Sequence, residues 1–200
     1  MARMTTRRSM FFTALAAADA ALAVSGRDRE RWLTKPLLMP VLMPGRSRAT
    51  QQALALSWAG DVALLGTGDA AFGAGLVSFL ASHLAWIRAL RRQHDGGRLR
   101  AKPELAVPPL AAAVVVNAVL WRSTGPLRVP VLLYSAALLA MSLAALDQDS
   151  LAAAAGGMLF LASDSLLALR KFGVADVPAG DGLVMVTYAA AQALLAASAG

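Results

Sequence analysis

Two aspartates lie inside long apolar stretches of the chain, where a carboxyl group is costly. Asp61 lies in SWAGDVALLG, which begins at Ser57, and Asp164 lies in LFLASDSLLAL. A charged side chain near the centre of a membrane helix costs about 2.5–3.5 kcal/mol on translocon-derived scales, so such residues are rare and usually functional. Two carboxyls that meet in a dry setting do not both ionise readily. One protonated acid and one carboxylate would remain, and that division predicts general acid and general base catalysis.

The composition predicts that the chain is an all-α membrane protein. Of its 200 residues, 58% are hydrophobic and 16% are charged, and the mean hydropathy is +0.57. Soluble domains have an apolar share of about 45–50%. A membrane span needs about 20 residues, so eight spans would take up about 160. The remainder leaves no room for a soluble domain, and residues 1–200 are expected to form one integral membrane domain.

The charge and the cysteine count narrow the chemistry further. The net charge of +7 comes from basic residues in short connections between apolar runs, where they set orientation and contact anionic lipid headgroups. Nucleic acid is therefore not an expected partner, whereas membrane lipids are. The chain has no cysteine and only two histidines, which argues against a thiolate nucleophile and a multi-histidine zinc site. We expect neither a metal nor a cofactor.

The apolar runs predict a bundle of eight transmembrane helices. The first run is read as an uncleaved span instead of a signal peptide, because Asp19 interrupts it. Pro36 and Pro40 in the second span predict freed backbone groups that line a cavity or pack on protein. The spans cover approximately residues 10–24, 32–43, 53–66, 72–90, 105–121, 127–146, 151–169 and 183–197.

A weak internal similarity suggests two parallel four-helix repeats. Residues 36–42 (PLLMPVL) resemble residues 126–132 (PLRVPVL), and residues 59–65 (AGDVALL) resemble residues 162–168 (ASDSLLA). Such a repeat would place the two aspartates in related positions. The alternative is chance similarity between segments that are rich in alanine and leucine.

The same similarity would divide the chain into halves 1–92 and 104–200, joined by a basic linker at 93–103. The lysine and arginine count favours a cytoplasmic N-terminus, with eleven basic residues inside and seven outside. An even number of spans then puts both termini in the cytoplasm. We expect a multi-pass protein of the cell membrane.

Counting helical rise places many polar side chains at one depth. They come from seven spans and are expected about 6–9 Å from the bundle end opposite the termini. These residues are Asp19, Lys35, Asp61, Asn117, Tyr134, Asp164 and Tyr188. His83 is the exception, at a predicted depth of about 20 Å. A shallow polar layer suits a lipid whose reactive bond lies just below its headgroup. Lys35 would hold the ionised acid, face a phosphate or extend to the interface.

The polar residues also occur in an ordered set that resembles the YhhN family of lysoplasmalogenases. The matching elements span nearly the whole chain. They are Lys35-Pro36, Ser57 with Gly60-Asp61, Phe72, Gly75-Leu76, Phe79 and His83, Ser163-Asp164, and Thr187-Tyr188 with Gln192.

The resemblance implies an eight-span enzyme that hydrolyses the vinyl ether of lysoplasmalogens, releasing a fatty aldehyde and a glycerophospho-base. Asp61 and Asp164 would be the catalytic pair, acting on a lysophospholipid substrate. His83, Tyr188 and Gln192 would orient the substrate or the acids. The complete set predicted to bind substrate is Lys35, Ser57, His83, Asn117, Tyr134, Ser163, Tyr188 and Gln192.

A proton-coupled transporter of small lipids or solutes is the main alternative. Intramembrane acids in repeated halves with proline-broken helices are also typical of transporters. Transporter sites lie near the middle of the bilayer, however, and the polar layer predicted here is shallow. A scaffold protein would not need so many buried polar groups at one level. The sequence makes no prediction of oligomeric state.

Overall fold

The computed structural model describes residues 6–92 and 96–199, and every regular element in these ranges is helical. The predicted all-α class is confirmed. The α-helices are α1 (Thr6–Val24), α2 (Asp28–Leu42), α3 (Arg48–Leu65), α4 (Asp69–Arg91), α5 (Arg98–Ala101), α6 (Val107–Leu120), α7 (Arg128–Leu146), α8 (Leu151–Lys171) and α9 (Gly180–Ser198). Two short 3₁₀ segments, Pro103–Ala106 and Gly125–Leu127, precede α6 and α7.

Five helical stretches are long and apolar enough to cross a membrane. They are Asp69–Arg91, Pro103–Leu120, Gly125–Leu146, Leu151–Lys171 and Gly180–Ser198. The chain is therefore a multi-pass membrane protein. The helices α1, α2 and α3 are not among the five, and α2 has only 15 residues with a charged first turn. Within the described ranges there are nine α-helices, one of only four residues, so the count of eight spans remains a prediction.

The long helices pack around an apolar core. The helix α3 packs along α4, α8 packs along α9, and α9 also contacts α1. The largest fully buried side chains include Trp86, Phe160 and Leu195. Large apolar side chains such as Val114 and Leu133 are mostly exposed on the outside of the bundle. Apolar groups both inside and outside are what a lipid solvent permits, because lipid does not penalise an apolar outer surface.

Two glycines allow α3 and α4 to approach closely beside Asp61. A Cβ atom at Gly60 would lie 2.6 Å from the Phe79 ring, and one at Gly75 would lie 2.6 Å from Leu64. Neither distance is compatible with a side chain unless the neighbour moves. Small residues at helix interfaces permit this kind of close packing in membranes. The paired glycines therefore fix the position of Asp61 relative to α4.

The prolines of α2 free a backbone carbonyl that α3 then satisfies. Pro40 has no N–H to donate to the carbonyl of Pro36, four residues earlier. That carbonyl instead accepts a hydrogen bond from Trp58 Nε1 at 2.8 Å. The expectation that freed backbone groups of α2 pack on protein is confirmed here. The bond also anchors α2 to α3 next to Lys35.

The proposed halves have a related pattern of neighbours, but the repeat remains a prediction. In each half the third and fourth long helices pack along each other, α3 with α4 and α8 with α9. The predicted linker lies partly outside the described residues. In its described part, Asp147 Oδ1 accepts hydrogen bonds from the backbone N–H groups of Gly97 at 3.1 Å and Leu99 at 2.8 Å.

We expect Gly157→Ala to destabilise the bundle. A Cβ at Gly157 would lie 2.7 Å from the Cβ of Ala145 and 3.2 Å from the Cα of Ser142, so α7 and α8 would have to separate. Overpacking of this kind costs about 1–3 kcal/mol. The measurement is thermal unfolding in detergent. Gly73→Ala is the matched control, because a Cβ there meets nothing within 4 Å. Equal stability losses in both variants would contradict this interpretation.

Candidate active site

A cavity of about 380 Å³ lies at the end of the bundle where α3 connects to α4. Its exposed rim includes Thr67, Lys171 and Asp181. Six of the ten residues predicted for the site form part of its wall. These are Lys35, Asp61, Tyr134, Ser163, Asp164 and Tyr188. The structure thus brings polar residues from α2, α3, α7, α8 and α9 to one hollow.

Asp61 is almost completely buried and is held by two donors. Its Oδ1 lies 3.4 Å from Lys35 Nζ, and the side chains of the pair are 1% and 9% exposed. The hydroxyl of Tyr188 donates to Asp61 Oδ2 at 2.7 Å. A buried charge is tolerated when it is paired and hydrogen-bonded. The arrangement stabilises Asp61 as a carboxylate.

Asp164 has different partners and no lysine or arginine within ion-pair distance in the described part of the chain. The hydroxyl of Tyr134 donates a hydrogen bond to Asp164 Oδ2. His83 Nε2 lies 3.5 Å from the same oxygen. The neighbouring Ser163 donates to the Val184 carbonyl at 3.0 Å and so fixes this part of α8 to α9.

The backbone sets the tautomer of His83. Its Nδ1 contacts the carbonyl oxygen of Phe79, one turn earlier in α4. A carbonyl oxygen can only accept, so Nδ1 carries a hydrogen. Nε2 is buried without a hydrogen-bond partner in the described structure, and Asp164 Oδ2 lies 3.5 Å from it. The imidazole and the carboxyl group therefore face each other in a space that is closed to solvent.

Aromatic rings connect the two acids behind the cavity wall. The ring centroid of Phe160 lies 5.5 Å from that of Tyr188 and 4.9 Å from that of His83. His83 in turn lies 5.1 Å from Tyr134, and Phe79 lies 5.8 Å from Tyr188. Edge contacts of this kind hold rings in fixed orientations. The tyrosines that contact the acids are therefore braced from behind.

Two predicted residues lie beneath the cavity and not on its wall. Gln192 Nε2 donates to Ser57 Oγ at 2.8 Å, and Ser57 Oγ lies 2.6 Å from Ser82 Oγ. All three side chains are fully buried. This network joins α3, α4 and α9 one helical turn below Asp61. These hydrogen bonds hold α3 in place beneath Asp61.

The depth estimate needs one correction. His83 was expected far below the polar layer, but its ring reaches Asp164, because side chains lean toward the N-terminus of their helix and helices tilt. Asn117 was predicted to bind substrate, but it does not line the cavity. Its Nδ2 donates to Ser135 Oγ at 2.6 Å and so joins α6 to α7.

Charged residues near the cavity rim were not among the predicted site residues. Arg31, Lys171 and Asp181 all line the cavity. All three lie near helix ends. In the sequence, Arg31 and Lys171 were counted only as indicators of how the chain is oriented in the membrane. Asp19, predicted for the polar layer, is fully buried and lies 3.3 Å from Arg31 Nη2. Among the described residues, no group of three or more His, Asp and Glu side chains could hold a metal ion.

We expect Lys35→Met to destabilise the protein strongly, because it leaves the Asp61 carboxylate buried without its cation. Breaking a buried pair from one side costs about 3–5 kcal/mol. The double variant Lys35→Met with Asp61→Asn should regain much of that loss. Thermal unfolding in detergent measures both.

Arg27→Met is the control for Lys35→Met. Arg27 lies just before α2, the helix that carries Lys35, and pairs with Glu30 at 3.0 Å. The side chains of Arg27 and Glu30 are 59% and 41% exposed. Exposed pairs contribute little to stability. Similar losses from the two single variants would mean that the Lys35–Asp61 pair has no special structural role.

No curated protein and no solved structure matched the chain. The model of the YhhN family matches residues 30–199, a range that contains every residue described above on the cavity wall. The chain therefore belongs to the YhhN family.

Proposed function

We propose that the protein is a membrane hydrolase that cleaves the vinyl ether bond of lysoplasmalogen-type lysophospholipids. The products are a fatty aldehyde and a glycerophospho-base. The observation that carries the proposal is that Asp61 and Asp164 line one cavity but have different partners. Membership in the YhhN family supports the same class of reaction, because the residue pattern of the chain resembles that of the YhhN lysoplasmalogenases.

The chemistry of a vinyl ether requires both an acid and a base. The double bond takes a proton at the β-carbon, which belongs to the hydrocarbon chain, and an oxocarbenium ion forms at the carbon that bears the oxygen. Water then adds to this carbon and gives a hemiacetal. A site for this reaction needs a proton donor near the chain and a carboxylate near the ether oxygen.

Asp164 and His83 together are proposed to supply the proton. His83 Nδ1 faces a carbonyl, so the proton available to the substrate lies between Nε2 and Asp164. Asp164 lines the cavity, whereas His83 does not, so Asp164 would deliver the proton. The Tyr134 hydroxyl, which donates to Asp164, would stabilise the carboxylate that remains.

Asp61 is proposed to act as the carboxylate. Lys35 and Tyr188 stabilise its negative charge, and that charge would in turn stabilise the oxocarbenium ion. As water adds, Asp61 takes its proton. When the hemiacetal collapses, Asp61 returns this proton to the glycerol oxygen, and the hemiacetal hydroxyl gives its proton to Asp164. Both acids are then in their starting states, and one water has been consumed.

The decisive experiment follows aldehyde release from lysoplasmalogen by the purified protein. We expect release from the wild type and at least about a hundredfold less from Asp61→Asn and from Asp164→Asn, since general acid–base groups contribute about 10²–10⁴. Asp149→Asn is the control, because Asp149 is exposed and lies outside the cavity. A saturated ether analogue should not be cleaved.

Two results would contradict the proposal. Equal release from wild type and both aspartate variants would remove the acids from the chemistry. Absence of release, combined with proton-dependent solute or lipid flux in vesicles, would favour the transporter alternative.

We further expect His83→Phe to lower kcat by about 10²–10⁴ and to leave KM nearly unchanged, because it removes a proton partner that does not touch substrate. Ser78→Ala is the matched control on α4, where a hydroxyl that bonds the Leu56 carbonyl at 2.7 Å is lost away from the cavity. A rise in KM with unchanged kcat would assign His83 to substrate binding instead.

A further inference from the structure

A second, smaller crevice of about 60 Å³ adjoins the catalytic cavity. It lies among α3, α4, α7 and α8, and its wall is almost entirely apolar, including Leu76, Val131 and Phe172. The two spaces share Asp164 and Tyr134, among other residues. Asp61 and Lys35 line only the larger space. An apolar branch therefore leaves the polar cavity on the side of Asp164.

Lys171 lies where the two spaces meet the surface. It lines both, and its Nζ lies 4.7 Å from the centroid of the Phe72 ring. The ring orients the ammonium group but does not neutralise its charge. No carboxylate lies within ion-pair distance of Lys171 in the described ranges, whereas the other cations of the cavity wall are paired. Those pairs are Lys35 with Asp61, and Arg31 with Asp19 and Asp28.

We propose that the crevice holds the first few carbons of the hydrocarbon chain of a single-chain phospholipid, the carbons next to the ether, and that the phosphate of this lipid binds Lys171. The proposal rests on the function proposed above and deepens it. The lipid reaches the acids sideways, between α4, α7 and α8, with its chain along Leu76 and Val131. A phosphate diester supplies the one negative charge that Lys171 lacks, and the apolar crevice suits a hydrocarbon chain.

The spacing along α8 fits such a lipid. Lys171 lies seven residues after Asp164, which corresponds to about 10 Å of helical rise. A glycerol unit separates the phosphate from the vinyl ether by a comparable length. Anchoring the phosphate at Lys171 therefore places the vinyl ether near Asp164.

The crevice also gives a second reason for the roles of the acids. The β-carbon is on the chain side of the vinyl ether, and the chain branch opens beside Asp164. Asp61 faces only the polar space, where the ether oxygen and water would lie. The proton donor is then Asp164, as the His83 contact also implies.

The same geometry selects for lipids with one chain. The crevice is narrow, and a second chain would have to lie in the larger cavity against the Lys35–Asp61 ion pair. Placing hydrocarbon there would remove water from charged groups without new partners, which is unfavourable. A free hydroxyl at the second glycerol carbon fits the polar space instead.

The test measures binding of a non-cleavable lipid, the saturated 1-alkyl lysophosphocholine, to the full-length protein in a phosphate-free maltoside detergent. Lys171→Gln should weaken its binding about tenfold or more, because a charge-assisted contact to phosphate is lost. Binding of 1-alkylglycerol, which has no phosphate, should not change. Arg122→Gln, an exposed cation outside both spaces, should affect neither ligand.

A second pair of variants tests the chain site. Leu76→Trp should fill the crevice and weaken binding of both ligands. Leu84→Trp, on the same helix and 56% exposed to lipid, should weaken neither. A lipid with two alkyl chains should bind at least about tenfold more weakly than the single-chain lipid.

Three outcomes would overturn the proposal. In the first, Lys171→Gln weakens both ligands equally or neither. In the second, inorganic phosphate or glycerophosphocholine competes as well as the lipid, which would mean a phosphate site without a chain site. In the third, Leu76→Trp has no effect. Because the probe is not cleaved, these results are independent of aldehyde release, and the failure of one proposal can be distinguished from the failure of the other.

Discussion

Lys35 and Asp61 form an ion pair that the surrounding helices remove almost completely from solvent. A buried pair of this kind is not by itself stabilising. Removing two charges from water costs more free energy than their attraction supplies, unless the geometry of the pair is good. Here the geometry depends on several separate features. Pro36 and Trp58 join α2 to α3, Gly60 lets Phe79 pack beside Asp61, and Tyr188 supplies a further donor. The pair keeps a carboxylate available in an apolar part of the protein.

Asp164 differs from Asp61 because its environment differs. It has a histidine and a tyrosine as partners where Asp61 has a lysine and a tyrosine. The two acids lie on α3 and α8 and line the same cavity, yet they have unlike neighbours. Different surroundings are the general means by which proteins give two carboxyl groups different tasks. The difference between the two acids, more than either acid alone, supports a hydrolytic role.

Much of this arrangement could be predicted from the sequence, because it depends on the free-energy cost of a carboxyl group in an apolar segment and of a proline inside a helix. The position of Asp61 and Asp164 in apolar runs marked them without any structural information, and the prolines of α2 correctly indicated a freed carbonyl. The predicted ends of the long helices agree with the observed bounds to within a few residues in most cases.

The features that were missed all depend on tertiary contacts. A rise of 1.5 Å per residue gives the height of a backbone atom but not the direction of a long side chain, and so His83 was placed too deep. Asn117 has the polarity of a site residue, but its partner Ser135 could not be identified without the packing of α6 on α7. In the sequence, Lys171 could not be distinguished from other basic residues at helix ends, because only the structure shows that no carboxylate among the described residues pairs with it.

We propose that Asp61 acts as a carboxylate and Asp164 as a proton donor. Chemical rescue tests it most directly. Asp61→Gly and Asp164→Gly are assayed for aldehyde release from lysoplasmalogen with and without formate, a small carboxylate that is ionised at neutral pH. We expect formate to restore activity to Asp61→Gly, where it can pair with Lys35, and not to Asp164→Gly. Rescue of Asp164→Gly with no rescue of Asp61→Gly would contradict it.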